Sequence, residues 1–159
     1  MTESAISQRF TPECATLFLK VLQRLAEVEL ESDKVEIPLL KQFSEVIVED
    51  STSVTLPTEL AEVWLGCGGG EKASEAGVKA FVQWDVSKGK LLGPRLSDAR
   101  MNDHKTPFSI DELPEGSLYI ADLRFFAIER FFEIAKGKTE KRYFVSRLQP
   151  KTNIYNSIG

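Results

Sequence analysis

The chain has 159 residues, of which 42% are hydrophobic and 28% charged, and its formal net charge is −4. This length and composition fit one globular domain with a core, and they exclude fibrous and disordered proteins. There is no apolar run of the roughly 18 residues that a membrane-spanning helix requires, and the first ten residues lack the pattern of a secretory signal, so we expect no membrane association.

The first predicted element is a helix over residues 12–30, where apolar side chains recur at the spacing of one helical stripe. Thr11, which precedes a proline, is a suitable cap for this helix. The next predicted element is a strand centred on residues 46–48, a β-branched run bounded by charged and hydroxyl residues. We expect this buried strand to end near Asp50, and residues 54–57 could continue or close it.

The middle of the chain predicts a pair of antiparallel strands. Residues 66–77 are rich in glycine and polar residues, which indicates a loop. The segments 78–86 and 90–99 then show strand-like patterning, and the short polar stretch 87–89 between them is typical of a tight turn. We therefore expect a β-hairpin here, followed by a polar segment that could hold one or two helical turns.

The last third of the chain predicts a strand, a helix and a strand. The apolar strand 117–121 runs directly into Asp122. Residues 123–137 have the spacing of an amphipathic helix closed by a glycine, and residues 141–150 predict a final strand stopped by a proline. The succession of elements indicates a mixed α/β domain rather than a regular alternation of strands and helices.

Asp50 and Asp122 are the residues whose positions most clearly indicate a chemical role. Each follows an apolar strand, and a buried strand delivers its last side chain to a fixed place where a carboxylate can bind a hard cation. A divalent metal would also relieve the repulsion between the two carboxylates. Both residues have simpler explanations, because Asp50 could bond its own backbone in a turn and Asp122 could cap the following helix.

Three segments carry a wider pattern: LLKQFSEVIVEDSTSVTLP at 39–57, VKAFVQWDVSKGKLLGPRLSDARMNDHK at 78–105, and SLYIADLRFFAIERFFEIAKGKTEKRYFVSRLQP at 117–150. In this order they resemble the catalytic blocks of DDE transposases from bacterial insertion sequences. In that family a first strand ends in Asp-Ser/Thr-Thr with Leu-Pro soon after. A later block has an aspartate, aromatic residues, a helix, and a strand of the type Phe-hydrophobic-Ser-Arg-Leu. The resemblance covers about residues 39–156.

The resemblance implies a ribonuclease H-like fold, with a mixed sheet of three antiparallel strands plus parallel strands and flanking helices. Residues 1–35 would then be an N-terminal helical segment and residues 36–159 a partial catalytic domain. The family's third acid lies on a late helix in a Tyr-x-x-Arg-x-x-x-Glu pattern, whereas residues 149–159 contain no acid. We therefore expect the domain to be incomplete at the C-terminus, truncated before the third acidic residue.

By the same resemblance, Asp50 and Asp122 match the first and second acids of the family's triad and would be catalytic residues and metal ligands. The family chemistry is metal-dependent DNA strand cleavage and transfer, in transposition and recombination, with two Mg²⁺ (or Mn²⁺) ions. Because the third acid is missing from the sequence, we expect little or no transposition by this chain alone. The alternatives are a non-enzymatic DNA-binding or assembly module from a truncated transposase, and a product without function.

Candidate DNA contacts lie in the second half of the chain. Residues 1–85 hold 7 basic and 15 acidic side chains, whereas residues 86–159 hold 13 and 9, so the second half is the basic one. Arg124 stands where the family usually has glycine and could contact a phosphate. The other predicted DNA-binding residues are Lys141, Arg142 and Arg147, and solvated side chains without a partner are the equal alternative.

The implied partners are the DNA of the transposon ends and a second copy of the chain or a full-length transposase. The two cysteines, Cys14 and Cys67, match no zinc, redox or disulfide pattern. This cysteine usage favours a reducing cytoplasmic location. The net charge of −4 argues mildly against DNA binding, so the prediction depends on how the charge is distributed.

Overall fold

The centre of the molecule is a five-stranded mixed sheet with the strand order β3-β2-β1-β4-β5. The computed structural model describes residues 11–31, 37–67, 75–136, 141–150 and 152. The strands are β1 Val46–Leu56, β2 Ala76–Asp85, β3 Lys90–Asp98, β4 Leu118–Ala121 and β5 Tyr143–Val145. β2 pairs antiparallel with both β1 and β3, whereas β4 pairs parallel with β1 and β5. The mixed α/β class is confirmed, and the arrangement is consistent with a ribonuclease H-like sheet.

Strand β1 does not end near Asp50 but continues to Leu56, which is the longer extent that the sequence left open. The reason is that its two neighbours differ in length. β2 pairs with β1 from Ile47 to Leu56, whereas β4 pairs with it only from Val46 to Glu49. Asp50 therefore lies inside β1, at the point where the parallel neighbour stops.

The predicted hairpin is confirmed in β2 and β3. The turn between these strands contains Gly89 with a φ of 66°, a conformation that glycine adopts at little cost. The carboxylate of Asp85 accepts hydrogen bonds from the backbone N–H groups of Ser87, at 3.0 Å, and Lys88, at 3.2 Å. The register shifts between Phe81 and Gln83, which marks an irregularity in the pairing of the two strands.

In the described part of the chain, two α-helices flank the sheet. Helix α1, Pro12–Glu31, matches the predicted first helix, and the backbone N–H of Cys14 donates to the Thr11 hydroxyl at 3.3 Å, as expected for the cap. Helix α2, Ile128–Ala135, begins later than the predicted start at 123. A separate 3₁₀ turn, Leu123–Phe125, precedes it, because the extended backbone of Ala127 interrupts the helical run. The glycine predicted to close this helix lies outside the described residues.

The two faces of the sheet carry apolar clusters of unequal size. The larger cluster includes Ile47, Tyr119 and the α2 residues Phe131 and Ile134, which are all buried. The smaller cluster, on the other face, is built on Val46, Val86 and Leu118 and is partly covered by the 3₁₀ helix Pro38–Gln42. The final strand, predicted over 141–150, is confined to Tyr143–Val145.

Among the described helices, none combines the length and apolar character needed to cross a membrane. The longer helix, α1, has 20 residues. Its apolar side chains are largely exposed, among them Leu17, Phe18 and Leu22. Helix α1 lies along β3, where the side chain of Gln23 reaches the carbonyl oxygen of Gly93 at 3.5 Å.

Candidate metal centre

The parallel pairing of β1 with β4 brings Asp50 and Asp122 side by side. The paired residues run in register from Val46 with Leu118 to Glu49 with Ala121. One residue further, this register places Asp50 next to Asp122, on backbones roughly 5 Å apart. Side chains alternate along a strand, so both carboxylates lie on the same face as Val48. Residues that are 72 positions apart in the chain therefore meet at one edge of the sheet.

The two acids line an open cleft of about 500 Å³. Its floor is apolar and includes Val48, Ile120 and Val145, while Ser146 and Arg147 approach from the segment after β5. Both carboxylates are exposed to solvent. An exposed pair of carboxylates above an apolar floor leaves room for a cation and for a phosphate group beside it.

Each carboxylate uses one oxygen for a local backbone contact. The Oδ1 atom of Asp50 accepts from the backbone N–H of Ser51 at 2.8 Å, and the Oδ1 atom of Asp122 accepts from that of Arg124 at 2.9 Å. The explanation of Asp50 as a turn residue is wrong because it lies within β1. Asp122 does act as a cap, but of the 3₁₀ turn Leu123–Phe125. Neither Oδ2 atom accepts a hydrogen bond among the described residues, so capping and metal binding are compatible.

The donor set suits a hard divalent cation with several water ligands. Carboxylate oxygens are typical ligands of Mg²⁺, which keeps waters and needs only one or two carboxylates from the protein. Within the described ranges, no group of three or more His, Cys, Asp or Glu residues is arranged to hold a metal ion. His104, the single histidine, is exposed in the 3₁₀ turn Asp103–Lys105 and belongs to no such group. Asp50 and Asp122 therefore supply two carboxylates to this cleft.

The four predicted DNA-binding cations are not gathered in one place. Arg147 lines the cleft, and Arg124 is exposed in the turn directly after Asp122. Lys141 lies before β5, at the opposite end of that strand, in a separate cavity of about 590 Å³. Arg142 is only 8% exposed, and this burial argues against direct contact with a phosphate. Arg124 and Arg147 are thus the two cations placed to act with the acids.

A buried polar network that we did not predict lies beside Asp50. The hydroxyl of Ser51 donates to Asp103 Oδ1 at 2.6 Å, and the ammonium of Lys79 lies 3.0 Å from the same oxygen. Lys79 also donates to the carbonyl oxygen of Met101 at 2.6 Å. Burial raises the pKa of the Asp103 carboxyl, but the hydrogen bonds from Ser51 and Lys79 outweigh it, so this pKa lies below its ordinary value.

A second unpredicted network surrounds Glu49, whose side chain is fully buried. Gln83 Nε2 donates to Glu49 Oε2 at 2.8 Å, and the guanidinium of Arg130 lies 3.8 Å from that oxygen. Arg130 also lies 5.6 Å from the ring of Tyr119. Burial and the negative charge of Glu49 raise the pKa of Tyr119 well above its ordinary range. This cluster links α2 to β1 and β4 underneath the acids.

The sequence did hold a signal for these networks. Burial alternates along β2, and the buried positions include Lys79, Phe81, Gln83 and Asp85. Polar residues on the inward-facing side of a strand require partners, because an unpaired buried charge is costly. The pattern could therefore have predicted buried polar contacts, although it could not have identified the partners.

Comparison with known proteins gives a consistent set of relatives. The transposase for insertion sequence element IS231F of Bacillus thuringiensis subsp. israelensis is 28% identical over 158 residues, which are 98% of this chain and 32% of the relative. The transposase for IS231B of Bacillus thuringiensis subsp. berliner is 24% identical over 157 residues, with the same shares. The transposase for IS1151 of Clostridium perfringens is 28% identical over 121 residues, which are 76% of this chain and 24% of the relative.

The chain spans about a third of the length of the IS231 relatives, whose matched share is 32%. No family model matches it, and no solved structure matches it at a significant level. The matches to the IS231 relatives cover 158 and 157 residues and so extend beyond the three segments. Over nearly its full length, the chain is similar to transposases of bacterial insertion sequences, as those segments predict.

Proposed function

We propose that this chain is the part of a DNA transposase that carries the first two acids of the strand-cleavage and strand-transfer site. The observation that carries the proposal is the parallel register of β1 and β4, which sets Asp50 beside Asp122 in an open cleft. The similarity to insertion-sequence transposases over 98% of the chain supports the same chemistry. The proposed substrate is the DNA at the ends of a transposable element.

In this proposal Asp50 and Asp122 hold Mg²⁺ or Mn²⁺ through the oxygens that their backbone contacts leave free. When held there, the metal would supply charge stabilisation at the phosphate and activation of the attacking hydroxyl group. Arg147, in the cleft, and Arg124, after Asp122, provide positive charge for the DNA backbone next to the acids. Each carboxylate keeps one hydrogen bond to a backbone N–H, and this contact fixes the direction from which it approaches the cation.

Two carboxylates are a modest ligand set, and the described residues supply no third. We therefore expect weak metal binding by this chain alone and little cleavage of DNA. The other function considered from the sequence is a non-enzymatic DNA-binding module. It would need the basic side chains but not the two acids, so a metal-binding experiment separates the two functions.

The test is Mn²⁺ binding by the 159-residue chain, measured from the electron paramagnetic resonance signal of free Mn²⁺. We expect one class of sites that Asp50→Asn and Asp122→Asn each weaken by about tenfold or more. Glu59→Gln is the matched control, because Glu59 is an exposed acid outside the cleft. Thermal melting of each variant checks the fold. Equal Mn²⁺ binding by wild type and both Asn variants would overturn the proposal.

A further inference from the structure

The Lys79–Asp103 ion pair is a buried charged pair close to the two acids, and the proposed metal site does not use it. Lys79 and Asp103 are each 8% exposed. Removing two charges from water costs several kcal/mol, and their mutual attraction often does no more than offset this cost. Overall stability is therefore a poor explanation for the pair. A buried ion pair can instead specify one geometry among several, and the surroundings of this pair show which geometry is involved.

On one side, the ion pair is joined to β1 directly after the first acid. Asp103 Oδ1 accepts the hydroxyl hydrogen bond of Ser51 at 2.6 Å, and Ser51 follows Asp50 in the chain. At this point β1 has lost its parallel neighbour, because the pairing with β4 stops at Glu49. The side-chain contact from Asp103 thus adds a lateral restraint where β1 is held by β2 on one side only.

On the other side, the pair reaches the segment after the second acid. The 3₁₀ turn Asp103–Lys105 packs against the 3₁₀ turn Leu123–Phe125, which Asp122 caps. The positive charge of Arg124, in that second turn, contributes to the low pKa of Asp103. One buried carboxylate is therefore connected to the segments that follow both exposed acids, Ser51 in β1 and the turn Leu123–Phe125.

We propose that Lys79 and Asp103 are positioning residues that act through the Ser51 hydroxyl to hold Asp50 in place beside Asp122. The effect of this restraint on metal affinity rests on the proposed metal site, whereas the restraint on β1 itself can be measured without metal. Lys79 is itself held by a hydrogen bond to the carbonyl oxygen of Met101, and it thereby helps to fix the position of Asp103. Neither residue contacts the cation in this arrangement.

The main test variant replaces both charges, Lys79→Met with Asp103→Leu, because apolar replacement of a whole buried pair is often neutral for stability. Amide hydrogen exchange is measured on the metal-free chain. We expect exchange at Asp50 and Ser51 to accelerate by about tenfold or more, with little change at residues 46–48 of the same strand. Mn²⁺ affinity is expected to fall by about tenfold.

Ser51 provides a finer pair of variants. Ser51→Ala removes the hydroxyl group and should reproduce both the faster exchange and the weaker Mn²⁺ binding. Ser51→Thr keeps a hydroxyl group in a residue that strands favour and should behave like wild type. A purely structural role would lower the melting temperature and accelerate exchange along all of β1. It would not separate Ala from Thr by metal affinity.

The outcomes distinguish this inference from the proposed function. If exchange at Asp50 and Ser51 does not change in the double variant, or rises evenly along β1, the positioning role is wrong whatever happens to metal binding. If exchange accelerates locally but the wild type binds no Mn²⁺ at Asp50 and Asp122, the positioning role holds and the metal site fails. Local acceleration together with weaker Mn²⁺ binding supports both.

Discussion

Glu49 and Asp50 are consecutive acids in β1, yet they lie in opposite environments. Glu49 is 1% exposed and contacts Gln83 and Arg130, whereas Asp50 is exposed in the cleft with Asp122. Strand alternation alone separates them, because successive side chains point to opposite faces of the sheet. The comparison shows that an acid at this position in a strand is either a structural partner or an available ligand, according to the face on which it lies.

The strongest way to break this comparison is to remove each acid in turn. Glu49→Ala removes the acidic partner of Arg130, whose side chain is only 11% exposed, and should lower the free energy of unfolding by about 3 kcal/mol. Asp50→Ala removes an exposed side chain and should change it by about 0.5 kcal/mol or less. Urea denaturation followed by circular dichroism measures both values.

The variant Glu49→Gln serves as the control for this first prediction, since it keeps the size of the side chain and a hydrogen-bonding oxygen for Gln83. It should cost less than Glu49→Ala. If Asp50→Ala proved as destabilising as Glu49→Ala, the assignment of the two faces to structure and to binding would have to be abandoned.

Stabilisation by added metal should depend on Asp50 and not on Glu49. A ligand that binds only the folded state stabilises it, by about 1.4 kcal/mol at ten times its dissociation constant. Mn²⁺ should therefore raise the melting temperature of wild type and of Glu49→Gln, but not that of Asp50→Asn. A stabilisation by Mn²⁺ that survives in both Asp50→Asn and Asp122→Asn would place the metal elsewhere.

Much of the sheet could be predicted because its signals are local. The β-branched run at 46–48 and the hairpin pattern over 78–99 depend on neighbouring residues only. The sequence left the end of β1 open between Asp50 and Leu56, because the strand's length depends on β2, a partner that no local pattern identifies. The late start of α2 was missed for a different reason. Asp122 caps a separate 3₁₀ turn, and the extended backbone of Ala127 then interrupts the helical run.

The two acids were identified through resemblance to a family, and their adjacency follows from the register of β1 and β4. The partners of Ser51 and Glu49 were missed for a different reason. Asp103 is 52 positions from Ser51, and Arg130 is 81 positions from Glu49, so only the folded chain brings them together. For Arg142 the burial itself was missed, because a basic residue in a polar segment was expected at the surface, whereas it is buried.

Binding of DNA extends the comparison to the positive side chains around the cleft. Arg147→Ala and Arg124→Ala should each weaken binding to duplex DNA and reduce the slope of log affinity against log salt by about 1. Lys136→Ala is the control, because Lys136 is an exposed cation at the end of α2. Filter binding at several salt concentrations measures the slopes, and equal slopes for all three variants would exclude the two arginines as phosphate contacts.

The smallest expected effect concerns acid pH and compares Asp103 with the exposed acids. The hydrogen bonds from Ser51 and Lys79 hold the pKa of Asp103 below its ordinary value of 3.8. A lowered pKa in the folded state means that the unfolded chain binds the proton more readily. The stabilisation is therefore complete above pH 3.8 and is lost as the pH falls below it, through the lower pKa of the folded state.

This pH dependence should disappear when the carboxyl group is removed. In the double variant Lys79→Met with Asp103→Leu, the free energy of unfolding should fall less steeply below pH 3.8 than in wild type. Asp50→Asn is the control and should leave the slope close to that of wild type, because Asp50 is exposed in the cleft and takes no part in the Lys79–Asp103 pair. Urea denaturation at pH 3 and pH 6 provides the comparison. A slope that changes in Asp50→Asn and not in the double variant would reverse the roles assigned to the buried and the exposed acid.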